Sequence, residues 1–378
     1  MGSILFSPMV ISNLTFRNRI VVAPMCQYSA DEGNASDWHL MHLGQFAVSG
    51  VGLIFTEAVG VEMNGRISPG CLSLCSDEHE KSLKRVIKFC HDFGSAKIGI
   101  QLAHAGRKGS TELPWLGGRP ISSAGSRGWK TVAPSAVSFS QDGWETPREL
   151  TQLELSRIKE SFANSAVRAD RIGFDVLELH AAHGYLLHQF LSPLSNFRSD
   201  EYGGDLESRM RFPLEVFERV RAVWPKNKVL GVRLSATDWV ESSSWTVSES
   251  AIFASALSKR GCDFIDVSSG GNSPDQAIDV GPGYQTGFAS KIRTESGLPT
   301  IAVGQIVEPT HAEAILRSGQ ADLIAIGRGM LCNPRWSWQA ANALGEEADY
   351  APQYMRASKA LSGLPIPGNP PVAKKLVN

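Results

Sequence analysis

Eight short apolar runs, each compatible with a β-strand, alternate along the chain with segments that carry helix start and stop signals. The runs lie at 19–24, 52–57, 98–103, 175–180, 229–234, 263–268, 299–304 and 322–327. Several are apolar at consecutive positions, as parallel strands covered on both faces are. Between them, Asp77 with Glu80, Thr151 with Glu154, Thr246 with Glu249 and Thr310 with Glu313 fit the capping-box spacing or its Asp variant. Gly94, Gly173, Gly261 and Gly319 fall where those helices should stop. After Thr151, the residues Leu155, Ile158, Phe162, Ala166 and Ala169 recur every three or four positions, a stripe that would face the strands. Eight strand–helix units in succession predict an α/β fold of the (β/α)8 TIM-barrel type. The competing architecture is an open doubly wound sheet. Its GxGxxG fingerprint is missing after the first run, where Pro24, Met25, Cys26, Gln27 and Tyr28 stand instead. The 378 residues are expected to form one domain (1–378), with the barrel over about 19–343 and a C-terminal tail over about 344–378.

One connection breaks the rhythm. From His104 to about Leu150 there is little periodicity and much glycine and proline. A loop that long after a strand's carboxyl end is a candidate lid.

Charge and cysteine content exclude several classes of function. The formal net charge is −1 with no long run of one sign, so neither a nucleic-acid surface nor a membrane-binding basic segment is expected. The six cysteines are scattered, and the closest pair, Cys71 and Cys75, matches neither a zinc knuckle nor a redox CxxC. The first ten residues lack the features of a signal peptide, and no apolar run approaches the roughly 20 residues needed to span a bilayer. A soluble, cytoplasmic protein is expected.

The polar residues that carry chemistry fall at the strand ends. Cys26 and Tyr28 follow the first strand, Glu57 and Ala58 end the second, and Gln101 and His104 end the third. His180, His183 and Tyr185 follow the fourth, and Arg233 sits in the fifth. Ser268, Ser269, Gly270 and Gly271 follow the sixth, Gly304 ends the seventh, and Gly327, Arg328 and Gly329 end the eighth. Glycines after the last two strands suit the usual phosphate site of such barrels, and Arg328 adds donors to it. Two histidines three apart can hold an oxygen, and a nearby phenol can deliver a proton. The same pair can bind a metal, with His104 or Glu57 as third ligand, so a metal-dependent barrel hydrolase stays open. An aldolase or isomerase would want an activated lysine late in a strand. Lys97 precedes the third strand and Lys108 lies past it, in the loop.

Taken in order, these residues resemble the Old Yellow Enzyme family of flavin-dependent ene-reductases over nearly the whole chain. The likeness rests on Asn18, Arg19 and Ile20; on Gln101 through His104, Ala105, Gly106, Arg107 and Lys108; and on His180, Ala181, Ala182, His183, Gly184 and Tyr185. It continues with Ser192, Pro193 and Asn196, with Arg198, Tyr202, Gly203 and Gly204, with Glu207, Ser208 and Arg209, and with Ile326, Gly327 and Arg328. Pro24 to Tyr28 resembles the thermophilic-like or xenobiotic-reductase branch. The resemblance implies FMN as cofactor, contacted by Ala23, Pro24, Met25, Cys26, Ala58, Gln101, Arg233, Gly304, Gly327 and Arg328. Within that set, Gln101 would meet the pyrimidine edge, Arg233 the N1–C2=O region, and Cys26 the region of N5. A small core thiol is the competing reading of Cys26.

The resemblance further implies NADPH or NADH as hydride donor and small enones, enals or nitro compounds as acceptors. His180 and His183 would bind the substrate carbonyl, Tyr185 would protonate the α-carbon, and Tyr28 would shape the pocket. Read without the family, Tyr185 is more readily a packing aromatic than a proton donor. No resident metal is implied. The related iron–sulfur branch needs four clustered cysteines after the barrel, and only Cys332 follows the eighth strand. Arg356, after Pro352 to Met355, resembles an arginine sent into a neighbouring subunit's site, which implies a homodimer or homotetramer. Some relatives carry a tryptophan after the seventh strand, where Gly304, Gln305 and Ile306 stand here. Lys108 reads equally as a phosphate contact or a solvated loop residue. The segment 238–245, with three serines and two tryptophans, matches nothing in the family pattern.

Overall fold

A computed structural model describes residues 2–241 and 243–358. Its elements run β1 (Ile20–Val22), α1 (Asp37–Ala47), β2 (Leu53–Gly60), α2 (Asp77–Phe93), β3 (Lys97–Ala103) and α3 (Gln152–Ile172). They continue with β4 (Val176–Ala181), α4 (Leu186–Leu191), α5 (Leu206–Val223), β5 (Val229–Ser235), α6 (Val247–Ser258), β6 (Phe264–Ser268) and α7 (Thr286–Ser296). The last are β7 (Thr300–Ala302), α8 (Pro309–Arg317), β8 (Leu323–Ile326), α9 (Arg328–Cys332) and α10 (Trp336–Leu344). All eight β-elements pair in parallel, each with its sequence neighbours, and β8 pairs with β1 to close a barrel. The expected (β/α)8 fold is therefore the observed one, with strand ends shifted by at most three residues.

Local signals explain most helix ends. Thr151 and Thr246 cap α3 and α6 in reciprocal boxes with Glu154 and Glu249. Two expected boxes do not form. Ser76, one residue before Asp77, caps α2 by accepting from the His79 N–H. At α8 the proline takes the first helical position, where its fixed φ and missing N–H cost nothing, and Thr310 lies inside the helix. Glu313 instead accepts from the Ile4 and Leu5 N–H groups at 2.9 and 2.8 Å, fastening the N-terminal segment.

The barrel's interior is filled in layers. A hairpin of Met9–Ile11 and Leu14–Phe16 lies across its amino end. Ile11 and Phe16 join Leu53, Phe55, Val176, Val229, Phe264, Ile301 and Leu323 in one apolar cluster. Glycine at positions 99 and 231 gives the Phe55 and Phe264 rings their room, because a Cβ at either would strike the ring. With the amino end sealed by hydrocarbon, polar inward residues are confined to the carboxyl half.

The long connection after β3 is pinned to the barrel. Arg107 donates to the Asn272 carbonyl at 2.8 Å and to the carbonyls of Val137 and Ser138 at 3.3 Å. Arg198 holds the Pro134 and Leu150 carbonyls at 3.0 and 2.7 Å. The tail turns at Pro352–Ala357 against α10, with Tyr354 on the Trp338 ring. The proline-rich stretch 365–371, expected within that tail, lies outside the described residues. Among the described residues no helix is long and apolar enough to cross a membrane.

Phe16→Ala should open a void in the plug and cost about 3–5 kcal/mol of stability. Urea unfolding followed by tryptophan fluorescence measures it. A loss under about 1 kcal/mol would show that the hairpin does not seal the barrel.

Candidate active site

The strand register sets the site's charges. Glu178 and His180 on β4, Arg233 on β5 and Asp266 on β6 all point inward, and the register pairs His180 with Arg233 and Arg233 with Asp266. Arg233 Nε lies 3.1 Å from Asp266 Oδ2 in an oblique approach. Glu178 Oε1 accepts from Gln101 Nε2 at 2.7 Å. Burial pushes both carboxyls up from their ordinary range, and Asp266 pushes Glu178 further. One guanidinium shared by two buried carboxyls is balanced when one of them keeps a proton. Glu178 and Asp266 were overlooked in the sequence, where the signal was a lone carboxylate inside each apolar run.

Above this layer the two imidazoles meet. His180 Nε2 and His183 Nδ1 are 3.3 Å apart, with the rings nearly perpendicular. Their other nitrogens have partners. The Ala182 N–H donates to His180 Nδ1 at 3.3 Å, and His183 Nε2 is 2.7 Å from Ser268 Oγ, which can donate. Both rings are neutral, because burial and then the Arg233 charge hold each pKa well below the usual histidine value. A neutral ring has one N–H, and the Ala182 donor assigns that of His180 to Nε2. The Ser268 hydroxyl can give or take a proton and so sets the tautomer of His183: when it donates to Nε2, the His183 proton is on Nδ1 and two N–H donors face one gap that an acceptor oxygen would fill.

Tyr185 stacks edge-on against His180 at 5.1 Å and packs with Cys26, Tyr28 and Cys71. Burial and then the neighbouring Cys26, Tyr28 and Cys71 hold its phenol pKa well above the usual value, so it is protonated. Burial does the same to Tyr28, whose ring meets Trp115 of the long loop at 6.0 Å. Lys108 is no solvated loop residue. Its ammonium donates to the His183 and Gly271 carbonyls at 2.8 and 2.6 Å and lies 5.3 Å over the Tyr185 ring.

A cavity of about 730 Å³ opens beside His183 and Arg233 at the carboxyl ends of β7 and β8. Ala23, Pro24, Met25, Ser268, Gly304, Gly327 and Arg328 line it, as do Tyr284 and Gln285, which had not been singled out as site residues. Gln285 is held by Ser269 Oγ at 2.5 Å and by the Val303 carbonyl at 3.0 Å. The cavity suits a flavin nucleotide on two counts. Arg233 is a buried cation whose Nε has no hydrogen-bond acceptor among the described residues. At the β7 and β8 ends, Gly304 (φ 129°), Gly327 and Gly329 leave main chain accessible beside the exposed Arg328, and α9 begins there.

Three residues considered in the sequence lie apart from this cavity. Arg356 is exposed in its turn, where Arg335 stacks on the neighbouring Tyr354, and it does not line this cavity. Glu57 and His104, the third metal ligands considered above, are engaged elsewhere. Glu57 Oε1 is 3.0 Å from His39 Nε2, and His104 Nε2 is 3.8 Å from Glu62. Among the described residues no group of three potential ligands could hold a metal.

A closed parallel barrel with a glycine-lined anion cradle and a buried cation at its carboxyl mouth defines a nucleotide-cofactor barrel enzyme. The chain matches the model of the NADH:flavin oxidoreductase / NADH oxidase family over residues 4–347. It is 44% identical over 363 residues to an NADH:flavin oxidoreductase of Gibberella zeae, covering 92% of this chain and 87% of that one. It is 43% identical over 358 residues to an NADPH dehydrogenase of Geobacillus thermodenitrificans, covering 94% and 99%. Among solved structures, morphinone reductase aligns with a TM-score of 0.74 at 28% identity, covering 92% and 91%. The chain belongs to the NADH:flavin oxidoreductase / NADH oxidase family. It is an oxidoreductase of the Old Yellow Enzyme type, with FMN as cofactor and NAD(P)H as cosubstrate.

Neutral imidazoles and protonated phenols leave Lys108 to titrate near neutrality beside the site, because burial and then the Arg107 charge bring its pKa down to about 7. In Lys108→Met, affinity for an uncharged carbonyl ligand such as cyclohexenone should stay flat from about pH 6 to about pH 9. Flavin absorbance titrations measure it. A more than roughly threefold change toward pH 6 in that variant would mean that one imidazole takes up a proton there.

Proposed function

We propose that this enzyme reduces activated C=C bonds of α,β-unsaturated carbonyl compounds, with nitro compounds as related acceptors. One observation carries the reading: His180 Nε2 and His183 Nδ1 lie 3.3 Å apart beside a protonated phenol, where, with Ser268 donating to the far side of His183, both would present N–H to one oxygen. Ala23, Pro24, Met25, Cys26, Ala58, Gln101, Arg233, Gly304, Gly327 and Arg328 would hold FMN. Bound FMN, reduced by NADPH or NADH, supplies a hydride to the substrate's β-carbon. The chain does the rest.

His180 Nε2–H and His183 Nδ1–H bind the carbonyl oxygen and polarise the conjugated alkene. As hydride arrives, negative charge builds on that oxygen, and two prepositioned donors in a site shielded from water stabilise it more than water would. Tyr185 then passes its phenolic proton to the α-carbon, completing addition of H⁻ and H⁺ across the double bond. Cys26 and Tyr28 form the wall next to Tyr185. Arg233 offers positive charge where a reduced flavin ring gathers negative charge. Exposure of Arg356 away from its own cavity fits a dimer or tetramer in which it serves a neighbour.

The protein should be yellow, bleach under anaerobic NADPH and recover colour with cyclohexenone. A colourless protein that takes up no FMN, or a bleached one that enones do not reoxidise, would overturn the reading. Tyr185→Phe should leave flavin reduction within about twofold and slow alkene reduction by roughly 10²–10⁴-fold. Equal damage to both half-reactions would remove Tyr185 as the proton donor. His180→Ala should weaken phenol and enone binding about tenfold or more.

A further inference from the structure

The segment 238–245, unexplained in the sequence, closes a buried network behind the site. Asp238 Oδ2 accepts from Ser192 Oγ at 2.6 Å and from the Trp245 N–H at 3.0 Å. Its other oxygen lies 3.2 Å from His188 Nε2 in an oblique contact, and neither side chain has exposed surface.

Across the same ring, His188 Nδ1 accepts from the Gly184 N–H at 2.9 Å. That bond assigns the ring proton to Nε2, and Asp238 faces it. Gly184 lies between His183 and Tyr185. The turn needs outside support, because His183 and Gly184 both have positive φ, at 58° and 71°, and the left-handed region is costly for a non-glycine residue. A Cβ on Gly184 would also strike the Gly271 carbonyl.

Trp245, at the segment's other end, braces the turn's second side. Its indole donates to the Ser235 carbonyl at 2.8 Å, and Ser235 Oγ accepts from the His183 N–H at 2.9 Å. No atom of His188, Asp238 or Trp245 lines the cofactor cavity.

We propose that His188 and Asp238 are positioning residues, which hold the turn so that the His183 N–H and the Tyr185 phenol point at one substrate. The inference rests on the roles of His183 and Tyr185 proposed above. It is read most directly in the second half-reaction, the only one that consumes a phenolic proton; reduction of the flavin takes none from Tyr185.

The test uses FMN-loaded His188→Ala, His188→Asn and Asp238→Asn. Asparagine keeps an acceptor near the place of Nδ1 and loses the reach to Asp238. In His188→Ala, NADPH should reduce the flavin within about twofold of wild type, while cyclohexenone reoxidises it roughly 10–100-fold more slowly. Affinity for p-hydroxybenzaldehyde should fall about tenfold, and amide hydrogen exchange across 182–186 should quicken. His188→Asn should recover to within about threefold of wild type, and Asp238→Asn should fall between the two. Equal slowing of both half-reactions, an oxidative half-reaction within twofold of wild type, or no recovery in His188→Asn would each overturn the inference.

If His188→Ala does not fold, His188→Gln replaces it. Glutamine reaches Asp238 but not Gly184 and should remain impaired where asparagine is not; equal behaviour of the two would overturn the inference. Should wild type itself fail to be reoxidised by enones, the functional reading falls. Aldehyde affinity and amide exchange in the variants would then still decide whether these residues hold the turn.

Discussion

The upper half of this barrel is organised around the buried charge of Arg233. Strand pairing puts His180 on one side of it and Asp266 on the other. A guanidinium does not give up its proton, so its neighbours adjust instead. It opposes the upward shift that burial imposes on Glu178 and Asp266, and it adds to burial in keeping His180 and His183 uncharged. Among the described residues the same cation has an Nε without an acceptor, at the edge of the large cavity. One residue therefore links the packed interior, the protonation of the two imidazoles and the pull of that cavity on an electron-rich ring.

That arrangement is possible because the amino half of the barrel is closed with hydrocarbon. Phe55 and Phe264 fill the space that glycines at 99 and 231 leave, and Ile11 and Phe16 cap them. A polar layer with water on both sides would screen Arg233 and relax the imidazole shifts. The plug and the chemistry, though far apart in sequence, are energetically connected through the dielectric between them.

The architecture was legible because its signals are local. Apolar runs, the boxes at Thr151 and Thr246 and the stripe from Leu155 to Ala169 each act within a few residues. The cap of α2 was misread by one position, since Ser76 and Asp77 are both good caps and only the geometry chooses. At α8 the proline at the first position outranked Thr310, and Glu313 was drawn to a partner more than 300 residues away. Family likeness gave the residues at the strand ends. Their partners were harder to see, because Glu178, Asp266, His188 and Asp238 act through register and burial, which a linear pattern does not display. Lys108 is the clearest case. Its sequence context is a glycine-rich loop, while its two carbonyl acceptors come from the turn after β4 and the loop after β6.

The His–x–x–His spacing alone read as an oxygen-binding pair that a metal could also explain, and what separates the two is where the ring protons sit. A metal needs lone pairs aimed at one point; a developing oxyanion needs N–H groups aimed there. Which is presented depends on the far side of each ring. The Ala182 N–H occupies the lone pair of His180 Nδ1, and Ser268 sits where it can occupy that of His183 Nε2. With Ser268 donating, both lone pairs are turned outward and both protons inward. A cation in the gap would require both tautomers to switch, leaving His180 Nδ1–H against the Ala182 N–H. The main-chain path that makes Ala182 donate there is the path that sets the left-handed residues His183 and Gly184. The preference for an oxygen over a metal is therefore built into the backbone of the turn as much as into the choice of histidine.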